Sequence, residues 1–312
     1  MSPVSRQPPE IAVIGPGAVG ATIAAELARA GHELLLCGRT ERRAIVVERA
    51  GHAAVTLGPV RTDPAGLRPV RWLLLAVKAH QTHGAAGWLS ALADSETTVL
   101  VLQNGVDQRD LVSPLVPTAT VVPSVVWFSA ESVSADRMLV HNEPRLTLPD
   151  DPGGRAVSAL LADTGCVVEV AADYELRAWR KLTQNAVAGL TVLAGRRLGI
   201  FRRADIAVLA RAYAAEIMAV AGALGVELDP RTPDDVADGF AALPAEHGSS
   251  ITRDREQGHP LEWEARNEVI RRHGAALGVP TPISDVVVPL LAAASDGWTS
   301  RPSCDVDLTP AS

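Results

Sequence analysis

The sequence predicts an α/β domain built on a doubly wound parallel sheet, followed by an all-helical domain, on three observations. In the first half, short runs nearly continuous in apolar residues alternate with helical patterns, as expected when both faces of a parallel sheet are covered. A glycine-rich turn, Gly15-Pro16-Gly17-Ala18-Val19-Gly20, separates the first such run from the first helix. Beyond about Val170 the strand signal ends and helical periodicity takes over.

Ile11–Ile14, Leu34–Cys37, 72–77, 98–102 and 121–128 read as strands. Residues 18–30 read as a helix, with Val19, Ile23 and Leu27 in one stripe and Gly31 as its stop. Strand, helix and strand within about 30 residues make a βαβ unit. In the second half, Asp173 suits the N-cap of a helix starting at Tyr174. A longer helix is expected over 203–224, and Thr232-Pro233 opens a third. Residues 262–277 form a fourth, stopped by Gly278 and Pro280. Helical pattern resumes over 286–291, where Pro289 is expected to kink or split it. The domains are therefore 1–171 and 172–312, and Trp179 and Trp263 are expected to be packing anchors.

Bulk properties narrow the function. A chain of 312 residues suits two domains. With aromatics at only 4 %, the core must be filled by Ala, Val and Leu. The net charge of -7 argues against non-specific nucleic-acid binding, which needs a basic face. Cys37, Cys166 and Cys304 make neither a disulfide framework nor a metal motif, which points to a cytoplasmic setting. The start of the chain, with Pro3, Pro8 and Pro9, has no apolar stretch, and no run is expected to reach the ~20 apolar residues of a membrane span. Residues 1–7 and those from about 296 are expected to be poorly ordered.

The glycine turn fits G-x-G-x-x-G between a strand and a helix, the context that makes this pattern specific for a dinucleotide and the sheet one of the Rossmann kind. Gly15 and Gly17 allow the tight turn and close approach of a pyrophosphate, while Gly20 allows the helix to pack on the strand. The amides of Ala18 and Val19 at the helix start favour phosphate. NAD binders place a carboxylate at the end of the second strand, whereas this strand ends Cys37-Gly38-Arg39. A guanidinium there suits the 2′-phosphate of NADP, so NADPH is the expected cofactor. Arg42 and Arg43 read as a solvated basic helix start. His80 and His83 lack a ligand partner at metal spacing and read as a surface pair, so no metal is expected.

Further segments resemble the ketopantoate reductase (2-dehydropantoate 2-reductase) family. They are Ala76-Val77-Lys78-Ala79, Gln103-Asn104-Gly105, the stretch from Lys181 to Asn185, and Ser249-Ser250 with Glu262 twelve residues after Ser250. A closing turn, Gly278-Val279-Pro280-Thr281-Pro282, follows. The resemblance spans about residues 10–290 and implies a helical domain of the 6-phosphogluconate-dehydrogenase type. It implies an NADPH-dependent oxidoreductase of pantothenate biosynthesis acting on a small 2-keto acid, as a monomer or homodimer. By the same resemblance Lys181 is the general acid and Glu262 its charged partner and a substrate contact. Asn104 fixes the nicotinamide or the reacting carbonyl, Lys78 contacts the cofactor, and Asn185 and Ser250 bind substrate.

Chemistry agrees with those roles. Hydride addition to a ketone leaves charge on oxygen, which calls for a cation able to release a proton. Lys181 and Asn185 are four apart and share a helix face. Taken by themselves, Lys181 also suits a solvated helix position and Glu262 a helix start favoured by the dipole. The family carries a second Asn four positions beyond Asn185, where this chain has Gly189. Residue 189 is expected either to face the cleft and leave room for a bulkier or less hydroxylated keto acid, or merely to let another helix pack closely. Reduction of a different ketone, or an NADPH-binding sensor without turnover, are the alternatives. Retention of Lys181 and Glu262 counts against the sensor.

Overall fold

The computed structural model describes residues 9–296, so the expected ends and Cys304 lie outside the described residues. The chain forms two compact units, 1–182 and 183–312. The division falls inside one long helix, past the expected boundary near Ala171 and beyond the last strand.

The first unit opens with β1 (Ile11–Ile14), α1 (Ala18–Arg29) and β2 (Leu34–Cys37). Next come β3 (Ile45–Arg49), β4 (Val55–Leu57), β5 (Val60–Arg61), β6 (Trp72–Leu75), α2 (Ala86–Leu92) and β7 (Thr98–Val101). After α3 (Gln108–Val112), the stretch expected as one strand over 121–128 is two, β8 (Thr120–Pro123) and β9 (Val125–Val126). The unit continues through β10 (Ala130–Ser134), β11 (Arg137–Val140), β12 (Arg145–Pro149), α4 (Pro152–Leu160) and β13 (Val167–Ala171) into α5 (Tyr174–Leu193).

Its central sheet has the order β5-β2-β1-β6-β7-β8 with all pairs parallel, which is the 3-2-1-4-5-6 order of the dinucleotide-binding fold. Alternate residues feed two cores. Val13, Leu74 and Leu100 face one side with Ile23 and Leu27 of α1. Ala12, Leu73 and Val99 face the other with Trp88 and Leu89 of α2. That double coverage is why these strands read as continuous apolar runs.

Two smaller sheets were not legible. One, β10-β11-β3-β4, packs over α1; the other is β13-β12-β9. Between β2 and β5 the antiparallel pair β3-β4 therefore takes the place of a crossover helix. Arg42 and Arg43 consequently start no helix; Arg42 is instead bridged to Val60.

The second unit holds the end of α5, then α6 (Ala204–Ala223), α7 (Thr232–Ala242), α8 (Ser250–Glu256), a π-turn at Glu264–Glu268, α9 (Val269–Leu277) and α10 (Pro282–Asp296). No strand occurs among its described residues. By length and composition alone α6 is long and apolar enough to cross a membrane, although it carries Asp205, Arg211 and Glu216. Its polar positions have partners within the unit. Arg211 pairs with Asp234 of α7 at 2.6 Å, and buried Glu216 accepts from the amides of Ile283 and Ser284 at 2.7 and 2.9 Å, capping α10. Pro289 lies inside α10, which runs on through it rather than splitting. Glu262 precedes its helical run by one residue, and the run passes through the π-turn after Trp263.

Candidate active site

The expected cofactor residues gather at the carboxyl edge of four neighbouring strands. The glycine turn follows β1, Arg39 follows β2, Lys78 follows β6 and Asn104 follows β7. The order reverses between β1 and β6, which is where open sheets of this kind hold ligands.

Each glycine of the turn has a distinct physical reason. Gly15 has φ +85°, and a Cβ there would lie 2.7 Å from the Val77 amide nitrogen. A Cβ on Gly20 would lie 2.5 Å from the Gly15 carbonyl oxygen and 2.8 Å from the Ala76 Cβ. At Gly17 a Cβ would meet nothing within 4 Å, so open space stands before the start of α1. That helix has no side-chain cap and no acidic residue in its first turn, leaving its amides for an anion. Arg39 is exposed and makes no ion pair among the described residues. The donor set fits a dinucleotide with an additional phosphate. Arg42 also reaches the turn, its Nη1 donating to the Pro16 carbonyl at 3.3 Å while its buried Nε has no partner.

Behind the edge lies a buried amide network. Gln103 Nε2 donates to the Val77 carbonyl at 2.9 Å and to Thr82 Oγ1 at 2.8 Å, tying the Lys78 loop to the Asn104 loop. Gln108 Oε1 accepts from the Ser124 amide at 2.8 Å, and its Nε2 donates to the carbonyls of Gln103 and Ser124. Burial pushes the Cys37 thiol at the end of β2 up to about 12, so it stays protonated and inert.

Lys181, on α5, is half-buried with its ammonium 5.1 Å from the centroid of the Trp127 ring. Trp127 is held in turn by its indole N–H, which donates to Thr147 Oγ1 at 2.8 Å. An aromatic face in this position favours the charged amine. The expected anchor Trp179 is buried, whereas Trp263 is only partly so.

In the second unit, Ser250 and Glu262 meet through a residue the sequence reading did not single out. Ser249 caps α8, accepting from the Thr252 amide at 3.3 Å and leaving Ser250 exposed as the first helical residue. Arg266 Nη2 donates to Ser250 Oγ at 2.9 Å and lies 3.5 Å from Glu262 Oε2. Asn185 is half-buried on α5, one turn beyond Lys181.

Two family models cover most of the chain: "Ketopantoate reductase PanE/ApbA" matches residues 11–153, and "Ketopantoate reductase PanE/ApbA C terminal" matches 173–295. The chain is 47 % identical over 289 residues to a 2-dehydropantoate 2-reductase of Mycobacterium tuberculosis, covering 92 % of this chain and 98 % of the relative. The chain belongs to the ketopantoate reductase family. A family member from Ralstonia eutropha superposes with a TM-score of 0.84 at 27 % identity, covering 93 % of this chain and 99 % of that one. A dimeric ketopantoate reductase from Staphylococcus aureus does so with 0.83 at 27 % identity, covering 92 % and 99 %.

Gly189, where the family pattern has an Asn, packs closely against its neighbours. A Cβ there would lie 3.1 Å from Leu291 Cδ1 and 3.4 Å from Asn267 Nδ2. The position faces α10 and the buried Asn267 instead of open space. Asn267 Nδ2 donates to the Ala186 carbonyl at 3.1 Å and to the Tyr213 hydroxyl at 3.0 Å, while its buried Oδ1 has no hydrogen-bond partner. The close approach of Leu291 supports the reading in which Gly189 lets another helix pack closely. Among the described residues no group of three or more His, Cys, Asp or Glu could hold a metal ion, and His80 and His83 are exposed on two short 3-10 turns.

Proposed function

We propose that the protein is a 2-dehydropantoate 2-reductase that converts ketopantoate to pantoate with NADPH in the cytoplasm, as a monomer or homodimer. The observation that carries this reading is the half-buried Lys181 ammonium over Trp127, a proton source suited to a ketone becoming an alkoxide. The identity to the Mycobacterium tuberculosis reductase supports ketopantoate, and the dimeric Staphylococcus aureus relative supports the homodimer. Residues 1–171 serve the cofactor and 172–312 the substrate.

When bound, the nicotinamide supplies the hydride. The turn Gly15–Gly20 would take the pyrophosphate, Arg39 the 2′-phosphate, and Lys78 and Asn104 the reactive end. Lys181 Nζ donates a hydrogen bond to the carbonyl oxygen and then releases its proton there. Asn185, Ser250 and Glu262 orient the substrate by its carboxylate and hydroxyl, Glu262 accepting from the hydroxyl.

The test follows NADPH oxidation with ketopantoate beside a panel of other 2-keto acids, for wild type and Lys181→Ala. Ketopantoate should be the preferred substrate. The variant should bind NADPH yet lose about a hundredfold to ten-thousandfold in turnover. A variant with wild-type turnover, or a wild type inactive on ketopantoate, overturns the proposal.

A further inference from the structure

Arg266 is 1 % exposed and Glu262 2 %, so a cation and an anion are both withdrawn from water. The guanidinium is not fully satisfied. Its Nη2 serves Ser250 at 2.9 Å and faces Glu262 at 3.5 Å, while its buried Nε has no hydrogen-bond partner. A buried ion pair of this quality is weak support for stability, and an apolar side chain of similar size often fills such a space better. Its placement is also unusual, because Arg266 lies in the π-turn Glu264–Glu268, and one-turn widenings of this kind recur at functional sites. The feature lacks a stability rationale, yet it joins two side chains of one site.

We infer that Arg266 is a positioning residue that sets the preference for a hydroxylated 2-keto acid. The inference rests on the reading in which Ser250 and Glu262 bind substrate. The guanidinium faces the Glu262 carboxylate at 3.5 Å, and a carboxylate accepts from a substrate hydroxyl more strongly than a neutral acid does. Ser250 Oγ accepts from Arg266, which leaves the exposed hydroxyl hydrogen to donate to the substrate carboxylate. One guanidinium nitrogen, Nη2, thereby holds both an acceptor for the hydroxyl and a donor for the acid group, at the end of a rigid planar group that a lysine lacks.

The experiment compares Arg266→Met, Arg266→Lys and Glu262→Gln in the full-length protein. The substrates are ketopantoate and 3,3-dimethyl-2-oxobutanoate, which lacks the hydroxyl. Arg266→Met should raise KM for ketopantoate at least tenfold with a smaller change in kcat, leave NADPH affinity unchanged, and erase most of the preference for ketopantoate. Arg266→Lys should fall between. A merely structural residue would lower kcat and the folded fraction together and leave the preference intact. If Arg266→Met does not fold, Arg266→Lys decides. A KM raised at least threefold at unchanged NADPH affinity supports the inference, and a smaller change overturns it. Likewise a folded Arg266→Met with KM and preference within twofold of wild type overturns it. Glu262→Gln separates the two levels: if it too is unchanged on ketopantoate, the substrate-site reading has failed, whereas if it alone is impaired, only the role of Arg266 has failed.

Discussion

The Lys181 ammonium lies over the Trp127 ring, 5.1 Å from its centroid. The ring offers a flat negative face that steadies a long, flexible cation without accepting its proton. A carboxylate in that place would hold the amine more tightly and make it a poorer acid.

Removing the face should therefore slow turnover while sparing the cofactor. A cation–π contact is worth about 0.5–2 kcal/mol, so Trp127→Leu should lower kcat by roughly two- to thirtyfold. Trp127→Phe keeps a face but loses the indole bond to Thr147, and should retain more activity than Leu. Steady-state kinetics on both variants, with NADPH affinity as the control, decide this. Equal activity of the Leu and Phe variants would show that the face is not what matters.

The proposed role of Arg39 is to set the choice between the two nicotinamide cofactors. It is exposed beyond β2 and free of ion pairs among the described residues. Losing a charge-assisted phosphate contact costs about 1.5–3 kcal/mol, so Arg39→Ala should weaken NADPH by one to two orders of magnitude and leave NADH unchanged. Fluorescence titration with both cofactors measures it. Should the variant lose both equally, Arg39 supports the loop rather than the 2′-phosphate.

Gly189→Asn should be destabilised with no gain on ketopantoate. The added Cβ would sit 3.1 Å from Leu291 and 3.4 Å from Asn267, and overpacking of this kind costs about 1–3 kcal/mol. The better helix propensity of a non-glycine residue offsets only part of that. Thermal melting beside ketopantoate kinetics tests the pair of outcomes. A variant as stable as wild type would mean that α10 yields at Leu291.

The central sheet was legible because β1, β6 and β7 are buried on both faces, which leaves no polar alternation to interpret. The sheet β10-β11-β3-β4 was not, because Arg137–Val140 finds its partner at Val46–Arg49, far away in sequence and with no local signal. The glycine turn carried its own context of strand and helix, so the placing of Gly15, Gly17 and Gly20 could be read directly. Trp127, Gln103 and Gln108 act through contacts with distant segments, and nothing adjacent to them in sequence announces this. Arg266 had a detectable signal. A basic residue four positions after Glu262, inside an apolar-periodic helix, is out of place on a buried face, and the π-turn accommodates it. Of the two readings of Gly189, the approach of Leu291 favours close packing, and helical spacing alone could not show which helix would do it.

The pairing of β3 with β11 also has a temporal side. A ribosome releases Val46 long before Arg137, so the edge of β3 opposite β4 waits through about half of the first unit's synthesis for β11 to join. Until Val140 is out, the surface of α1 that β10 and β11 will cover stays bare, with only the short β3-β4 pair beside it. A fragment that stopped after β8 would contain every strand of the central sheet and the whole glycine turn, yet expose apolar surface of the helix that begins the phosphate site. The small sheet acts as a late-arriving lining of the nucleotide domain, and it makes residues 130–140 part of what a minimal, soluble cofactor-binding fragment must include.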